Sequence, residues 1–154
     1  MNRGFEIVRD DCRIFPDVDI ELPVRKTKHS AAYDFVSLTD RIIEPGYSVA
    51  FPLDIKAKMK PDEILVLNVR SSIGFKKKLM LVNTQGWVDS DYYNNPDNDG
   101  NIGICLYNFG DKAQHIQKGD RIAQGMFLTY LTVDNEEEIK TVRQGGILWK
   151  FQAK

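Results

Sequence analysis

Asp89 and Asp91, separated by a single serine in the stretch LVNTQGWVDSDYYNN (Leu81 to Asn95), are the residues whose types and spacing first suggest chemistry. In extended backbone residues i and i+2 point the same way, so their carboxylates would share one face, about 6–7 Å apart. Such a pair can bind a metal or divide into a base and a helper. The same Asp-Ser-Asp triplet is also ordinary turn chemistry. A second candidate is Val69-Arg70-Ser71-Ser72-Ile73-Gly74, followed by Lys76, Lys77 and Lys78. An arginine fork, serine hydroxyls and the outward amides of a short helix suit a phosphate chain, although a helix cap with a solvated lysine face has the same residues. In Lys118-Gly119-Asp120-Arg121-Ile122-Ala123-Gln124 a turn delivers a strand with two donors toward an anion, Arg121 and Gln124, or simply a hairpin with surface charges. In Ala31-Ala32-Tyr33-Asp34-Phe35 one acid stands between two aromatics in a strand that otherwise reads as core. A carboxylate there needs a partner, and an arginine or a hydrated cation would each serve.

The elements that must position these residues are strands. GFEIV, YDFVSL, YSVAFPLDI, EILVLNV, LMLV, IGICLYNF and IAQGMFLTYLTV are short runs rich in β-branched and aromatic residues, separated by turns such as Glu44-Pro45-Gly46 and Lys60-Pro61-Asp62. No sustained helical period appears, and at most one short helix fits, near Ser72 to Lys78. An all-β chain of this size must hide its strand edges, which favours a sandwich, a jelly roll or a partly closed barrel. YYNNPDNDGN reads as a long connection, and the charged, aperiodic DNEEEIKTVRQ as an exposed link to the terminal segment GGILWKFQAK.

With 154 residues, 42% of them hydrophobic, and no Ser/Gly-rich or Pro-rich linker, the chain suits one core. Its 21 basic and 22 acidic residues nearly cancel, so no broad cationic surface draws it to nucleic acid or to an anionic membrane. Any anion site must be local. Cys12 and Cys105 lie far apart without metal-ligand spacing and are expected to be buried free thiols. No apolar run reaches the ~18 residues that span a bilayer and no signal peptide is evident, so a cytoplasmic location is expected.

Taken together and in order, the four pieces resemble the trimeric dUTPase family, the dUTP diphosphatases, particularly its bacterial and phage branch. AAYDF is similar to the first motif, RSS to the second, VNTQGWVDSDYY to the third and GDRIAQ to the fourth, across about Gly4 to Val133. The resemblance implies a jelly-roll β-barrel over residues 1–133, a C-terminal arm over 134–154, and a homotrimer whose subunits share each active site. It implies hydrolysis of dUTP to dUMP and pyrophosphate, with Asp89 as the base that activates water for attack on the α-phosphorus. Asn83 would read the uracil edge with backbone groups of Gly86 and Val88, and Tyr92 would pack under the deoxyribose. Ser72 and Gln124 would hold the phosphates, with Ser71 beside them at the substrate, while Arg70 and Arg121 would brace the phosphate site or the subunit contacts around it. Asp34 would hold, through water, a Mg2+ ion that clamps the triphosphate. A base of this kind works best slightly desolvated, a setting expected beside Trp87 and Tyr92.

The resemblance breaks at the end of the chain. The family closes with Arg-x-Gly-Gly-Phe-Gly-Ser-Thr-Gly, whose arginine matches Arg143; here Arg143, Gly145 and Gly146 are followed by Ile147, Leu148, Trp149, Lys150 and Phe151. Bulky residues cannot reproduce a glycine cradle for phosphate. Three outcomes are open: a substitute lid, an apolar strip packed on a neighbouring subunit, or impaired catalysis. Two other functions compete with the hydrolase. A dCTP deaminase would need a glutamate where Cys105 stands, and a nucleotide-binding regulator that has lost turnover would account for the altered tail.

Overall fold

Turn residues cut the apolar runs into short strands. The structure, a computed structural model, describes residues 1–145. In chain order the strands are β1 (Gly4–Ile7), β2 (Tyr33–Val36), β3 (Arg41–Ile43), β4 (Ser48–Pro52), β5 (Ile55–Lys58), β6 (Glu63–Asn68), β7 (Leu79–Leu81), β8 (Gly86–Asp89), β9 (Gly103–Asn108), β10 (Gln114–Ile116) and β11 (Arg121–Thr129). One helix, α1 (Ser71–Lys77), joins β6 to β7, and 3₁₀ turns form at Asp10–Cys12 and Ser90–Tyr92. The helix begins one residue before the expected Ser72, because Arg70 is still extended and caps it. It ends at Lys78, whose left-handed backbone (φ 55°) directs its N–H to the Ile73 carbonyl.

All strand pairs are antiparallel, and their order is nested: β2 pairs with β11, β3 with β10 and β4 with β9. The early strands therefore run back along the late ones, which is the wrapping of a jelly roll. Around this frame β6 lies between β11 and β8, β7 joins β9, and β1 joins β5. The all-β, jelly-roll-like fold with one short helix agrees with the sequence reading.

The run YSVAFPLDI is not one strand. Pro52 ends β4, and Asp54 takes a left-handed conformation (φ 54°) that sends β5 to a different partner. The Asp54 carboxylate is fully buried and is satisfied by the Ile14 and Phe15 N–H groups and the Asn101 amide at 2.8–2.9 Å. The three-residue strands β3 and β10 had no legible pattern of their own; each is defined by its partner.

The core is filled by Phe35, Phe51, Leu53, Leu65, Leu79, Leu106 and Ile122, all essentially inaccessible. Phe5 gathers Tyr33, Phe35 and Phe127 around it, with ring centroids 5.4–5.5 Å away. Cys12 and Cys105 are free but only half-buried, a correction to the expected burial. Both sit at the margin of the core rather than in it. Among the described residues no helix is long and apolar enough to cross a membrane. After β11 the chain through Gly145 forms neither strand nor helix. The roles expected for Ile147 to Phe151 lie outside the described residues.

Candidate active site

The turn between β7 and β8 is tight: Thr84 is left-handed (φ 64°), and its N–H donates to the Leu81 carbonyl at 2.8 Å. From there β8 alternates, burying Gly86 and Val88 and exposing Trp87 and Asp89. Gly86 lets the hairpin lie close on β6, since a Cβ at that position would stand 3.1 Å from the Leu67 Cβ. A pocket of about 160 Å³ opens on this hairpin. Leu67, Val88 and Ile102 give it an apolar floor, while Asn83, Asp89, Tyr92 and Arg143 supply its polar groups.

Tyr92 is fixed from below. Its hydroxyl donates to the Asn101 carbonyl at 2.9 Å and accepts from the Asn98 amide at 2.7 Å. Asn101 is itself locked to the buried Asp54, so the ring is tied to the barrel core through a continuous polar chain. Burial pushes the Tyr92 phenol above its ordinary value, against the opposite effect of the Asn98 bond, and the hydroxyl stays protonated at neutral pH. Gly100 closes the loop with φ +82°; a Cβ there would meet the Tyr92 carbonyl oxygen at 2.5 Å. Asn98, Gly100 and Asn101 were not legible as functional residues, because NPDNDGN reads only as turn chemistry.

Asp89 and Asp91 do converge, but through an arginine. The Arg143 guanidinium donates from Nη2 to Asp89 Oδ2 at 2.6 Å and from Nε to Asp91 Oδ1 at 2.7 Å. The bond to Asp91, outweighing partial burial, raises the guanidinium above its ordinary value, so it remains a cation. Asp89 is 51% exposed, and Trp87, 70% exposed, turns its indole N–H to Gln85 rather than sheltering the acid. Among the described residues of one chain the expected desolvated setting is therefore absent, because β8 presents both side chains to the outer face of its sheet.

The second group of residues lies elsewhere. Arg70, Ser72, Lys77 and Arg121 line an open groove between α1 and the start of β11. Ser71 and Ser72 are exposed in the first turn of α1. Gln124 is half-buried in β11, opposite Asp34 on β2 and Asn68 on β6. Asp34 faces Arg70 Nε at 3.0 Å and Arg121 Nη1 at 3.4 Å, with a side chain only 9% exposed. Of the partners the sequence left open for this carboxylate, the structure supplies arginine.

The expected site residues thus fall into two clusters. Asp89 pairs with Ile64 near one end of β6, whereas Arg70 follows the other end at Asn68. Asn68 lies four residue steps along the strand from Ile64, roughly 13 Å. Within one chain Asp89 meets Arg143 but not Arg70 or Arg121.

Comparisons with known proteins place these clusters in a family context. A family model described as dUTPase matches residues 18–147. The chain is 40% identical over 145 residues to the deoxyuridine 5'-triphosphate nucleotidohydrolase of Lactococcus lactis, covering 94% of each chain. It is 33% identical over 131 residues to the fowlpox virus protein of the same name, covering 82% of this chain and 85% of that one. Among solved structures, the dUTPase of Streptococcus mutans superposes with a TM-score of 0.75 at 38% identity, covering 86% of this chain and 99% of that one. The dUTPase of phage phi11 of S. aureus, at 17% identity, shares the fold with a TM-score of 0.70 over 92% of this chain and 97% of that one.

Proposed function

Because the chain belongs to the dUTPase family, we propose that it hydrolyses dUTP to dUMP and pyrophosphate, with Asp89 activating the attacking water. The observation that carries this reading is the convergence of Asn83, Asp89 and Tyr92 on one hairpin pocket; the reading makes them base reader, proton acceptor and sugar platform in turn. The Asn83 amide offers both donor and acceptor to the uracil edge, alongside the backbone of Gly86 and Val88. Tyr92 turns its hydroxyl away to Asn98 and Asn101, so its ring face is left to pack against the deoxyribose and to crowd a 2′-hydroxyl. Asp89 is open to solvent and engages Arg143 through Oδ2, leaving Oδ1 to take a proton from water. As that water oxygen bonds to the α-phosphorus, the bond from phosphorus to the bridging oxygen breaks and pyrophosphate leaves.

Charge on the phosphates must be offset before an oxygen nucleophile approaches. The reading gives this task to Arg70, Ser72 and Arg121 in the groove, to Ser71 and Gln124, and to Arg143 from the arm. Since the base and this groove stand at opposite ends of β6, each complete site joins the hairpin of one copy to the groove of another in a homotrimer. Trp87 aligns with Val66 and Met126 across β8, β6 and β11, an outward apolar row suited to subunit contact. The barrel domain is assigned to residues 1–133 and the arm to 134–154, and the cytoplasm, where nucleotide pools lie, is the proposed location.

Magnesium is the metal proposed to accompany the triphosphate, and the phage phi11 dUTPase is described as coordinating a structural Mg(II) ion. Asp34 does not fit as a direct ligand, because both carboxylate oxygens face guanidiniums and the side chain is only 9% exposed; a hold through water would use the lone pairs the guanidiniums leave. Among the described residues no group of three His, Cys, Asp or Glu is placed to bind a metal. The residues present leave the ion to the substrate phosphates, where it would supply charge neutralisation.

Pyrophosphate release measured from dUTP, dCTP, dTTP and UTP with magnesium tests the reading, and selective release from dUTP is expected. Tight dUTP binding without release would instead favour a regulator, and ammonia release from dCTP a deaminase.

A further inference from the structure

The Asp34 carboxylate lies behind the groove, not in it. Arg70, Ser72, Lys77 and Arg121 line the groove, and Asp34 reaches it only through the two arginines. Its position is imposed by the sheet: its N–H donates to the Val24 carbonyl at 2.9 Å, and its strand is held in register with β11, placing Asp34 opposite Gln124. Arg70 comes from the loop after β6 and Arg121 from the first residue of β11, so one acid bridges two separate elements. Among the described residues no other ion pair engages either guanidinium.

We propose that Asp34 is a positioning residue that holds Arg70 and Arg121 as a preformed pair for the β- and γ-phosphates of the nucleotide. This rests on the dUTP reading above. Two guanidiniums converging on one groove repel each other when no anion is bound, and an acid between them offsets that repulsion and fixes their orientation. Arg70 engages the acid through Nε and Arg121 through Nη1. Both Nη atoms of Arg70 and Nη2 of Arg121 are left to point at phosphate oxygens, in the forked geometry that arginine provides and lysine does not. The pairing also explains why an acid sits in the core-like run AAYDF: Tyr33 and Phe35 turn to the core, where both pack on Phe5, while Asp34 between them faces the other way, toward two cations.

The assignment separates cleanly from metal binding by experiment. Affinities of a non-hydrolysable α,β-imido dUTP and of dUMP are measured on the assembled parent, Asp34→Asn and Asp34→Ala, together with the magnesium concentration that half-saturates activity. Asp34→Asn, which keeps the size but removes the charge, should weaken the triphosphate analogue about tenfold, as expected for loss of a charge-assisted contact, with dUMP changed by less than about twofold. The magnesium half-saturation point should not move. Equal weakening of dUMP and the analogue overturns the assignment, as does an unchanged analogue affinity. A loss that excess magnesium restores also overturns it, because that is the signature of a metal holder. Arg121→Gln guards against a fold defect in the acid variants: combined with Asp34→Asn it should cost little more than Arg121→Gln alone, whereas additive losses count against positioning. A parent that binds no analogue refutes the dUTP reading itself and takes the assignment with it.

Discussion

The hairpin pocket and the arginine groove solve recognition in opposite ways. In the pocket, shape comes first: Gly86 brings the hairpin onto Leu67, Gly100 makes room behind Tyr92, and a polar chain ties the tyrosine to Asp54 in the core. In the groove charge comes first, and the walls are open helix and strand ends with an acid behind them. A flat, neutral base and sugar need a rigid, mostly apolar slot with a few aimed polar groups, whereas a flexible polyanion needs oriented cations. On the proposed reading neither region is an active site alone. The division of labour predicts that damage to each fails differently.

The largest effect belongs to the pocket's acid. Asp89→Asn should lower kcat by at least ~100-fold with KM little changed, because it removes a general base but no binding surface. Steady-state kinetics on dUTP check this, and an active variant would remove Asp89 from its role. Arg121→Gln should act in the other sense, raising KM for dUTP about tenfold while leaving dUMP inhibition nearly unaltered. If both constants moved together, pocket and groove would not be separate in function. A third change sharpens the pocket's claim to base reading: Asn83→Ala should narrow the preference for dUTP over dCTP by about 1–3 kcal/mol, visible in the ratio of kcat/KM values.

The smallest effect lies away from both regions and serves as a control. Glu63, nearly buried beside Arg3, is held at about 2 instead of 4.5, mainly by the hydrogen bond from the Arg3 guanidinium. Its folded value lies below its unfolded one, so the stability it contributes is complete above about pH 4.5 and is lost as pH falls toward 2. Arg3→Gln should flatten that acid limb in thermal melts between pH 2 and 5, without altering turnover at neutral pH.

Much of this comparison was legible in the sequence, and unevenly. The long strands carry their own periodicity, so β6, β9 and β11 and the helix α1 stand out. By contrast β3 and β10 exist only because each completes the other. Asp89, Asn83 and Tyr92 are continuous in the chain and were readable as one hairpin. Arg70, Ser72 and Arg121 could be read as anion ligands, but their shared groove depends on nested pairing that no local pattern encodes. The partner of Asp34 was undecidable locally, because arginine and a hydrated cation satisfy a buried carboxylate equally well. Asp91 was legible as a neighbour of the base but not as the anchor of Arg143, since that contact spans residues far apart in the chain. The support beneath Tyr92 was hidden for a different reason: Asn98, Gly100 and Asn101 look like any turn until Tyr92 is seen to rest on them.

The most direct test of a site assembled from two copies mixes two defective proteins and assays them at dUTP well below the parent's KM, where both are slow. Asp89→Asn and Arg121→Gln chains, unfolded together in equal amounts and refolded, carry one defect each. If every site takes its base from one copy and its arginines from the next, random assembly should restore about a quarter of the sites to parent composition. Recovered dUTP hydrolysis near that fraction is the predicted result. Activity no higher than that of the two variants refolded separately would mean that base and arginines belong to the same chain, and would contradict the account.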